Sequence, residues 1–237
     1  MKLFICANGF TDRQVEAAEE VKELLMKQEH KIVSSVKESD MVLSLGGDGA
    51  LLRAFQEAFM YNKPLLGINS GRLGYLCALK QEEIGDFNQL LKQCRKVEKT
   101  VLECELDHKA YYALNDIIVS KNDFGQTVDL DLKIEDKYRY SMRGDGLIIC
   151  TPTGSTAYNL SAYGPLLEDG TNVLAVTPIC AHTKDILPLV VSENKKITVS
   201  VNHNDAGIYA DGKHIGNTSE SVMVSGSDRK LQLFVRE

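Results

Sequence analysis

The chain has 237 residues, of which 43% are hydrophobic and 25% charged, as in a globular protein of one large or two small domains. Its 27 Lys and Arg against 33 Asp and Glu give a net charge of −6, which argues against a surface built to bind nucleic acid or anionic lipid. No apolar run approaches a membrane-spanning length or resembles a signal peptide, so we expect a cytoplasmic protein that does not enter a membrane.

Strands and helices alternate in the first hundred residues. Short apolar runs predict buried strands at Lys2–Cys6, Met41–Leu45 and Leu65–Ile68. The stretch Thr11-Asp12-Arg13-Gln14 resembles a capping box that begins a helix, and helical spacing recurs after Asp48 and from Ile84 to Cys94. This alternation is typical of a parallel sheet with helices on its faces.

Strands dominate from Val101 onward. Apolar and polar residues alternate over Val128–Ile134 and again over Tyr138–Met142, which predicts an antiparallel hairpin turning at Glu135-Asp136. Further short strands, and one short helix from near Ser155 to Gly164-Pro165, complete this half. We therefore place a boundary between Val97 and Val101, with an α/β domain over residues 1–99 and a β-rich domain over residues 100–237.

Six cysteines and five histidines are present. Neither Cys-x-x-Cys nor His-Glu-x-x-His occurs, so we expect buried free thiols and no metal held by protein ligands alone. The cysteines are Cys6, Cys77, Cys94, Cys104, Cys150 and Cys180.

The stretch Gly46-Gly47-Asp48-Gly49 follows a predicted buried strand and precedes a predicted helix. Glycines let a backbone approach a ligand closely, and the N-terminus of a helix suits phosphate. A carboxylate at this point repels phosphate unless it acts as a base or lies near a metal. Asp48 is thus either a catalytic group or a simple helix cap. The third glycine of a dinucleotide fingerprint is absent, because Leu52 occupies its place.

A second stretch runs from Arg143 to Ser161 and combines Asp145 between glycines with hydroxyl side chains and Tyr158. Such groups can hydrogen-bond ribose or amide and stack on a base, although a capped helix after a turn also explains them. Asn115 and Asp116 interrupt an apolar strand and need polar partners, which a ligand or a neighbouring turn would supply. A near-Walker stretch, Gly207–His214, is better explained by a hairpin turn at Asp211-Gly212.

Together these stretches, in this order, resemble the NAD kinase family. The resemblance extends through Gly67–Tyr75 and Val176–Thr183 and covers most of the chain. Gly-Gly-Asp-Gly is shared with lipid kinases and phosphofructokinases, whereas Thr-Pro-x-Gly-Ser-Thr-Ala-Tyr is specific to NAD kinases. The resemblance implies an N-terminal α/β domain with a Rossmann-like parallel sheet and a β-rich C-terminal domain.

The activity implied is Mg²⁺-dependent transfer of the γ-phosphoryl group of ATP, or of polyphosphate, to the 2′-hydroxyl of the adenosine ribose of NAD, producing NADP. Asp48 would be the general base, and a homodimer or homotetramer would be the assembly. The resemblance implies further nucleotide-binding positions: Gly47, Gly49, Arg53, Asn115, Asp116, Arg143, Asp145, Thr153, Thr156, Ala157, Tyr158, Ser161 and Lys213. Within these, Asn115 and Asp116 would bind adenosine, and Asp145 with the Ala157 backbone would bind the nicotinamide end.

Two residues depart from the family pattern. Asp116 stands where the family usually has Glu, which shortens the reach of the carboxylate by about one methylene. Arg72 stands where bacterial members often have His or Asn.

Two alternative functions share some of these motifs, namely a lipid or other small-alcohol kinase and a non-catalytic NAD(P)-binding regulator.

Overall fold

A computed structural model describes residues 1–6, 12–71, 74–182 and 184–236, with the side chains of 12–14 outside the description. The chain forms two compact units, one of Met1–Lys99 with Lys230–Glu237 and one of Thr100–Arg229. Within the described ranges, no helix is both long and apolar enough to cross a membrane.

The helices and strands of the described ranges are numbered in chain order. The helices are α1 (Asp12–Lys27), α2 (Asp48–Met60), α3 (Phe87–Gln93) and α4 (Tyr158–Ser161), with 3₁₀ turns at Val36–Glu38, Gln81–Asp86 and Thr153–Thr156. The strands are β1 (Lys2–Cys6), β2 (Lys31–Ile32), β3 (Met41–Leu45), β4 (Leu65–Asn69), β5 (Leu79–Lys80), β6 (Cys94–Lys99), β7 (Leu102–Leu106), β8 (Lys109–Ala113), β9 (Asp116–Lys121), β10 (Val128–Ile134), β11 (Lys137–Gly144), β12 (Gly146–Cys150), β13 (Val173–Ile179), β14 (Leu189–Ser192), β15 (Ile197–His203), β16 (Ala206–Ala210), β17 (Lys213–Thr218), β18 (Ser221–Gly226) and β19 (Leu231–Arg236).

The first unit is built on a seven-stranded sheet of order β2-β1-β3-β4-β19-β6, with β5 beside β4. Its pairs are parallel except for β19 with β6. Apolar side chains of α1, α3 and the strands β1, β3 and β4 form one buried cluster. This confirms the predicted parallel sheet covered by helices.

The final strand differs from the sequence-based expectation, which placed residues 100–237 in the second domain. β19 instead lies between β4 and β6, where Leu231 and Leu233 are fully buried. Pairing with two neighbours gives hydrogen-bond partners to the backbone N–H and C=O groups on both edges of this strand. Its apolar side chains enter the core of the first unit. A similar local difference occurs at Cys94, which begins β6 rather than extending α3.

The second unit contains two six-stranded antiparallel sheets, of order β11-β10-β15-β18-β7-β8 and β14-β13-β12-β9-β16-β17. Alternate residues of β10, such as Val128 and Leu130, are buried while Asp129 and Asp131 on the other face are less buried. The main cluster draws buried side chains from both sheets, so the core lies between them. Residues near Ala162 and Leu167 cover part of the other face of the second sheet.

Several local predictions can be compared with these elements. The hairpin at Glu135-Asp136 is confirmed, with both turn residues at positive φ, and so is the hairpin at Asp211-Gly212. The helix predicted after Ser155 is a 3₁₀ turn followed by the four-residue α4. All six cysteines are free thiols, although Cys180 is exposed and Cys94 only half-buried. The capping box that includes Thr11 lies outside the described residues.

Candidate functional site

The glycine turn of the first unit connects β3 to α2. Gly46 has φ 132°, and a Cβ there would lie 2.8 Å from the Cβ of Ala50, so a side chain would be both strained and crowded. Gly47 caps α2 and is exposed, with open space around the position of a Cβ. The first N–H groups of α2 have no partner inside the helix, and together they carry a partial positive charge. This turn can therefore accept an anionic group.

Asp48 is the first residue of α2, and its carboxylate is fixed by the backbone that follows β4. The N–H of Tyr75 donates to Oδ2 at 2.9 Å, and that of Leu76 donates to Oδ1 at 3.0 Å. A carboxylate offers about four acceptor positions, so two hydrogen bonds hold it in place and leave acceptor positions free. The Asp48 side chain thus links the glycine turn to residues 75–76.

Close packing surrounds Asp48. A Cβ on Gly74 would lie 2.2 Å from Oδ1 of Asp48, so only glycine allows this approach. The Sγ of Cys77 lies 3.4 Å from the carbonyl oxygen of Gly46 and 4.0 Å from Oδ1 of Asp48. Burial, with a smaller contribution from the charge of Asp48, raises the pKa of Cys77 to about 12, so this thiol stays neutral. Among the groups around Asp48, the thiol can donate a proton to a hydrogen bond but does not compete as an anion.

Two other predicted residues lie on the first turns of α2. Gly49 and Arg53 are exposed and one helical turn apart, and the Arg53 guanidinium is 3.9 Å from the position of a Cβ on Gly49. The helix thus presents a cation on the same face as its glycine. Arg72, one of the two departures from the family pattern, lies outside the described residues.

In the second unit, the predicted residues Asn115 and Asp116 lie where β9 begins. Asp116 is paired in register with Cys150 at the end of β12, and the hydroxyl of Thr151 donates to the carbonyl oxygen of Leu114 at 2.6 Å. The N–H of Thr151 donates to the carbonyl oxygen of Asn115 at 2.9 Å. Asp116 is 4% exposed. A buried carboxylate at the end of a sheet is a binding or catalytic candidate.

The turn between β16 and β17 reaches the same residues. Asp211 accepts hydrogen bonds from the backbone N–H groups of Leu114, Asn115 and Asp116 at 2.7 to 3.2 Å. Burial, with a smaller contribution from the charge of Asp211, raises the pKa of Asp116 to about 7. Burial also raises the pKa of Asp211, and its three backbone hydrogen bonds oppose that rise.

The hydroxyl-rich stretch follows β12 directly and stays near Asn115. Gly154 packs so closely that a Cβ would lie 2.1 Å from the carbonyl oxygen of Asn115. Thr153 is buried, whereas Thr156, Tyr158 and Ser161 are exposed. Buried Asn159 holds this segment in place. Its side-chain N–H donates to the carbonyl oxygen of Pro165, and its side-chain oxygen accepts from the hydroxyl of Thr177. The exposed polar and aromatic side chains thus lie on a segment that is held by buried hydrogen bonds.

Arg143 and Asp145 lie at the other end of β12. Asp145 forms an ion pair with Lys121 at 2.6 Å, and Arg143 forms two hydrogen bonds with Asp129 at 2.7 and 2.8 Å. Because β12 has five residues, this end is about 16 Å from the Asn115 end. Lys213 is exposed at the start of β17, beyond the Asp211 turn.

Each unit therefore gathers part of the predicted set. Asp48, Gly47, Gly49 and Arg53 meet at the start of α2, and Asn115, Asp116 and residues from Thr153 onward meet at one end of β9 and β12. Gly74, Thr151 and Asp211 were not among the predicted site residues, although Gly74 and Thr151 lie within the motif stretches named above. The dipeptide Asp211-Gly212 was noticed only as a turn signal, and nothing local indicates what its carboxylate contacts.

Two family models match most of the chain. The family model of the ATP-NAD kinase N-terminal domain matches residues 4–98, and that of the ATP-NAD kinase C-terminal domain matches residues 114–235. An NAD kinase of Caldicellulosiruptor bescii is 38% identical over 89% of this chain and 81% of its own length. An NAD kinase of Chlorobium phaeobacteroides is 36% identical over 84% of this chain and 72% of its own length.

Solved structures are similar over the full chain. An NAD kinase from Archaeoglobus fulgidus in complex with ATP is 25% identical, with a TM-score of 0.83, and the match covers 100% of this chain and 94% of that one. Yeast NADH kinase complexed with NADH has a TM-score of 0.88 at 20% identity, over 100% of this chain and 84% of that one. At that identity, the yeast match supports the fold alone.

Proposed function

The chain belongs to the NAD kinase family, so its activity is the phosphorylation of NAD to NADP, and we propose that Asp48 is the general base of that transfer. The oxygen of the adenosine 2′-hydroxyl forms a bond to the γ-phosphorus of ATP. The bond between that phosphorus and the bridging oxygen of ADP breaks, and the hydroxyl proton passes to the Asp48 carboxylate. Neither domain match favours a lipid or small-alcohol kinase.

The observation that carries this proposal is the way Asp48 is held. Its two carboxylate oxygens each accept one backbone N–H, from Tyr75 and Leu76. The side chain is therefore positioned before substrate arrives, and acceptor positions remain for a hydroxyl proton. A residue that only capped α2 would direct its oxygens to the N–H groups of the helix itself.

Phosphate groups are expected at the N-terminus of α2. Exposed Gly47 and Gly49 allow a close approach to the backbone, and the N–H groups and partial charge of the helix end favour an anion there. Arg53, one turn further along and exposed, adds a full positive charge. We assign ATP phosphates to this turn on that basis.

The dinucleotide is expected to use the second unit. In this proposal the Asn115 and Asp116 side chains hydrogen-bond adenosine, and the hydroxyls of Thr153, Thr156 and Ser161 bind polar groups of the ligand. The exposed ring of Tyr158 supplies a surface for stacking. The remaining proposed ligand groups are the Ala157 backbone, Arg143, Asp145 and Lys213.

Mg²⁺ fits this site as an ion that arrives on ATP. Among the described residues, no group of three or more His, Cys, Asp or Glu side chains is arranged to hold a metal. Mg²⁺ often binds through substrate phosphates and water rather than a protein cage. When bound, it would neutralise charge on the triphosphate, while Gly47, Gly49 and Arg53 hold the phosphates and Asp48 holds the proton. Polyphosphate, as an alternative donor, would present the same charge to this turn.

A homodimer or homotetramer remains our proposal for the assembly. This proposal rests on the resemblance to the NAD kinase family.

The function is tested by incubating the purified protein with NAD, ATP and Mg²⁺ and measuring NADP with an NADP-specific dehydrogenase. We expect Asp48→Asn to lose about 10²- to 10⁴-fold in kcat, since that is the usual contribution of a positioned base. NAD affinity measured by calorimetry should change little, because the side chains proposed to bind NAD belong to the second unit.

Asp86→Asn is the matched control. Asp86 immediately precedes the first residue of α3 in the first unit and is exposed, so it undergoes the same chemical change at a site with no hydrogen bond to residues 75–76 among the described contacts. Its kcat should equal that of the wild type. Unchanged turnover in Asp48→Asn would exclude Asp48 as the base while leaving the family activity intact.

A further inference from the structure

The segment Leu114–Asp116 is held from one side by a single turn residue. Asp211 Oδ2 accepts the N–H of Leu114 at 2.8 Å, and Oδ1 accepts those of Asn115 at 2.7 Å and Asp116 at 3.2 Å. The N–H of Asp211 in turn donates to the carbonyl oxygen of Asp116 at 3.0 Å. Four hydrogen bonds thus join one residue to three consecutive residues nearly a hundred positions earlier.

The opposite side of the same segment is held by the end of β12. Thr151 engages the carbonyl oxygens of Leu114 and Asn115, and Gly154 packs against the latter. Backbone groups on both sides of the segment are therefore used by the fold. Within the described part of the chain, no hydrogen bond engages the side chain of Asn115 or Asp116. These two side chains therefore keep their polar groups available to a ligand.

Charge couples the same residues. Among the described residues, the charge of Asp211 from the β16–β17 turn acts on Asp116, and the charge of Asp116 acts on Cys150 of β12. Burial raises the pKa of Cys150 to about 12, so the thiol is neutral and Asp211 provides the varying charge. Because like charges oppose ionisation, the Asp211 carboxylate contributes to the raised pKa of Asp116.

We propose that Asp211 is a positioning residue that holds Asn115 and Asp116 in the orientation in which they bind the adenosine of NAD. This inference rests on the proposed role of those two side chains. Asp211 acts through the backbone of residues 114–116 and does not itself contact the ligand. It also affects the charge of Asp116, and hence the pH range in which that side chain accepts hydrogen bonds as a carboxylate.

Asp211→Asn is the informative variant, since Asn-Gly is favoured in hairpin turns and should preserve the β16–β17 connection. Its amide has one acceptor oxygen, so at least one backbone N–H of residues 114–116 loses its partner. We expect KM for NAD to rise about tenfold, the scale of one charge-assisted hydrogen bond, with little change in kcat or in KM for ATP.

The pH profile separates positioning from general structural support. Removing the charge of residue 211 lowers the pKa of Asp116, so the acid limb of kcat/KM for NAD should move to lower pH. Asp211→Glu retains the charge but lengthens the side chain. It should therefore raise KM for NAD and leave the acid limb where the wild type has it, and it serves as the second test if Asp211→Asn does not fold.

Two further variants complete the experiment. Asp136→Asn changes a turn residue at positive φ in the β10–β11 hairpin of the same unit, and should behave as the wild type. Asp116→Asn reports on the proposed adenosine contact itself. If it raises KM for NAD while Asp211→Asn changes neither KM nor the acid limb, Asp211 has no positioning role and the proposed function stands.

The remaining outcomes are also decisive. If Asp116→Asn leaves KM for NAD unchanged, the adenosine contact fails and the role of Asp211 fails with it, whereas NADP formation by the wild type still supports the kinase. If Asp211→Asn lowers the melting temperature and kcat and raises both KM values, with an unmoved acid limb, the residue is only structural.

Discussion

Asp48 and Asp211 each fix a neighbouring stretch of backbone with a single carboxylate. Asp48 accepts N–H groups of residues 75 and 76, and Asp211 accepts those of residues 114 to 116. A close approach needs a glycine at each place, Gly74 beside the Asp48 carboxylate and Gly154 beside Asn115, on the side of that segment opposite Asp211. At the scale of single residues, Asp48 is positioned by the hydrogen bonds of its own carboxylate, whereas Asn115 and Asp116 are held through their backbone by Asp211.

Tyr158 provides a test at this scale. Its ring is 45% exposed, and we expect Tyr158→Ala to raise the Kd for NAD about 5- to 150-fold, corresponding to about 1–3 kcal/mol for one stacked base. Calorimetric titration with NAD measures this directly. Tyr163→Ala is the control, because that tyrosine is 92% exposed and five residues away. Equal affinities of the two variants would remove the stacking role.

At the scale of elements, the first unit depends on contacts between short segments. His30 lies between α1 and β2, is buried, and meets Phe87 of α3 edge-on with ring centroids 5.3 Å apart. Burial, assisted by the positive charge of the amino-terminus, lowers the pKa of His30. The folded state therefore disfavours protonation of this ring.

Lowering the pH is expected to destabilise the packing of His30 in the first unit. Above the ordinary histidine pKa of about 6.5, His30 is neutral in both states and has no effect on the pH dependence. As the pH falls below that value, the unfolded chain takes up the proton before the folded chain does, so the free energy of unfolding decreases. Denaturant melts across this range should show the decrease.

His30→Leu should flatten that dependence because it removes the titrating group, whereas His108→Gln, at an exposed turn residue, should retain it. An unchanged slope in His30→Leu would assign the acid sensitivity to other groups.

At the scale of the molecule, the chain of the second unit is an insertion between two neighbouring strands of the first unit. β6 and β19 are antiparallel neighbours, with Lys99 paired to Leu231, and the whole of Thr100–Arg229 lies between them in the chain. The first unit thus needs both ends of the chain. Without β19, strands β4 and β6 each lose a partner, and the positions of Leu231 and Leu233 in the core are empty.

This topology predicts the behaviour of fragments. Residues 1–99 alone should lack a cooperative thermal transition, because the sheet is interrupted between β4 and β6. Joining residue 99 to residue 231 through Asn-Gly should restore it, since that dipeptide closes a two-residue hairpin in the observed register. Circular dichroism melts compare the two chains directly. A cooperative transition in the 1–99 fragment would show that β19 is dispensable.

Local patterns in the sequence determined much of this protein. Alternation predicted the β10–β11 hairpin, and a strand, three glycines and a helix placed Asp48 at a helix start, because these features depend on neighbours within a few residues. The motifs identified the family for the same reason. The roles of individual site residues remain predictions.

Only the tertiary structure decided the return of β19 to the first sheet and the contacts of Asp211. The Asp211 carboxylate binds the N–H of Leu114 across 97 residues, and β19 pairs with β4 across more than 150. An Asp-Gly pair predicts a turn, and an apolar run predicts a strand, but neither specifies its distant partner. That choice is made by hydrogen bonding and burial between segments that meet only when the chain is folded.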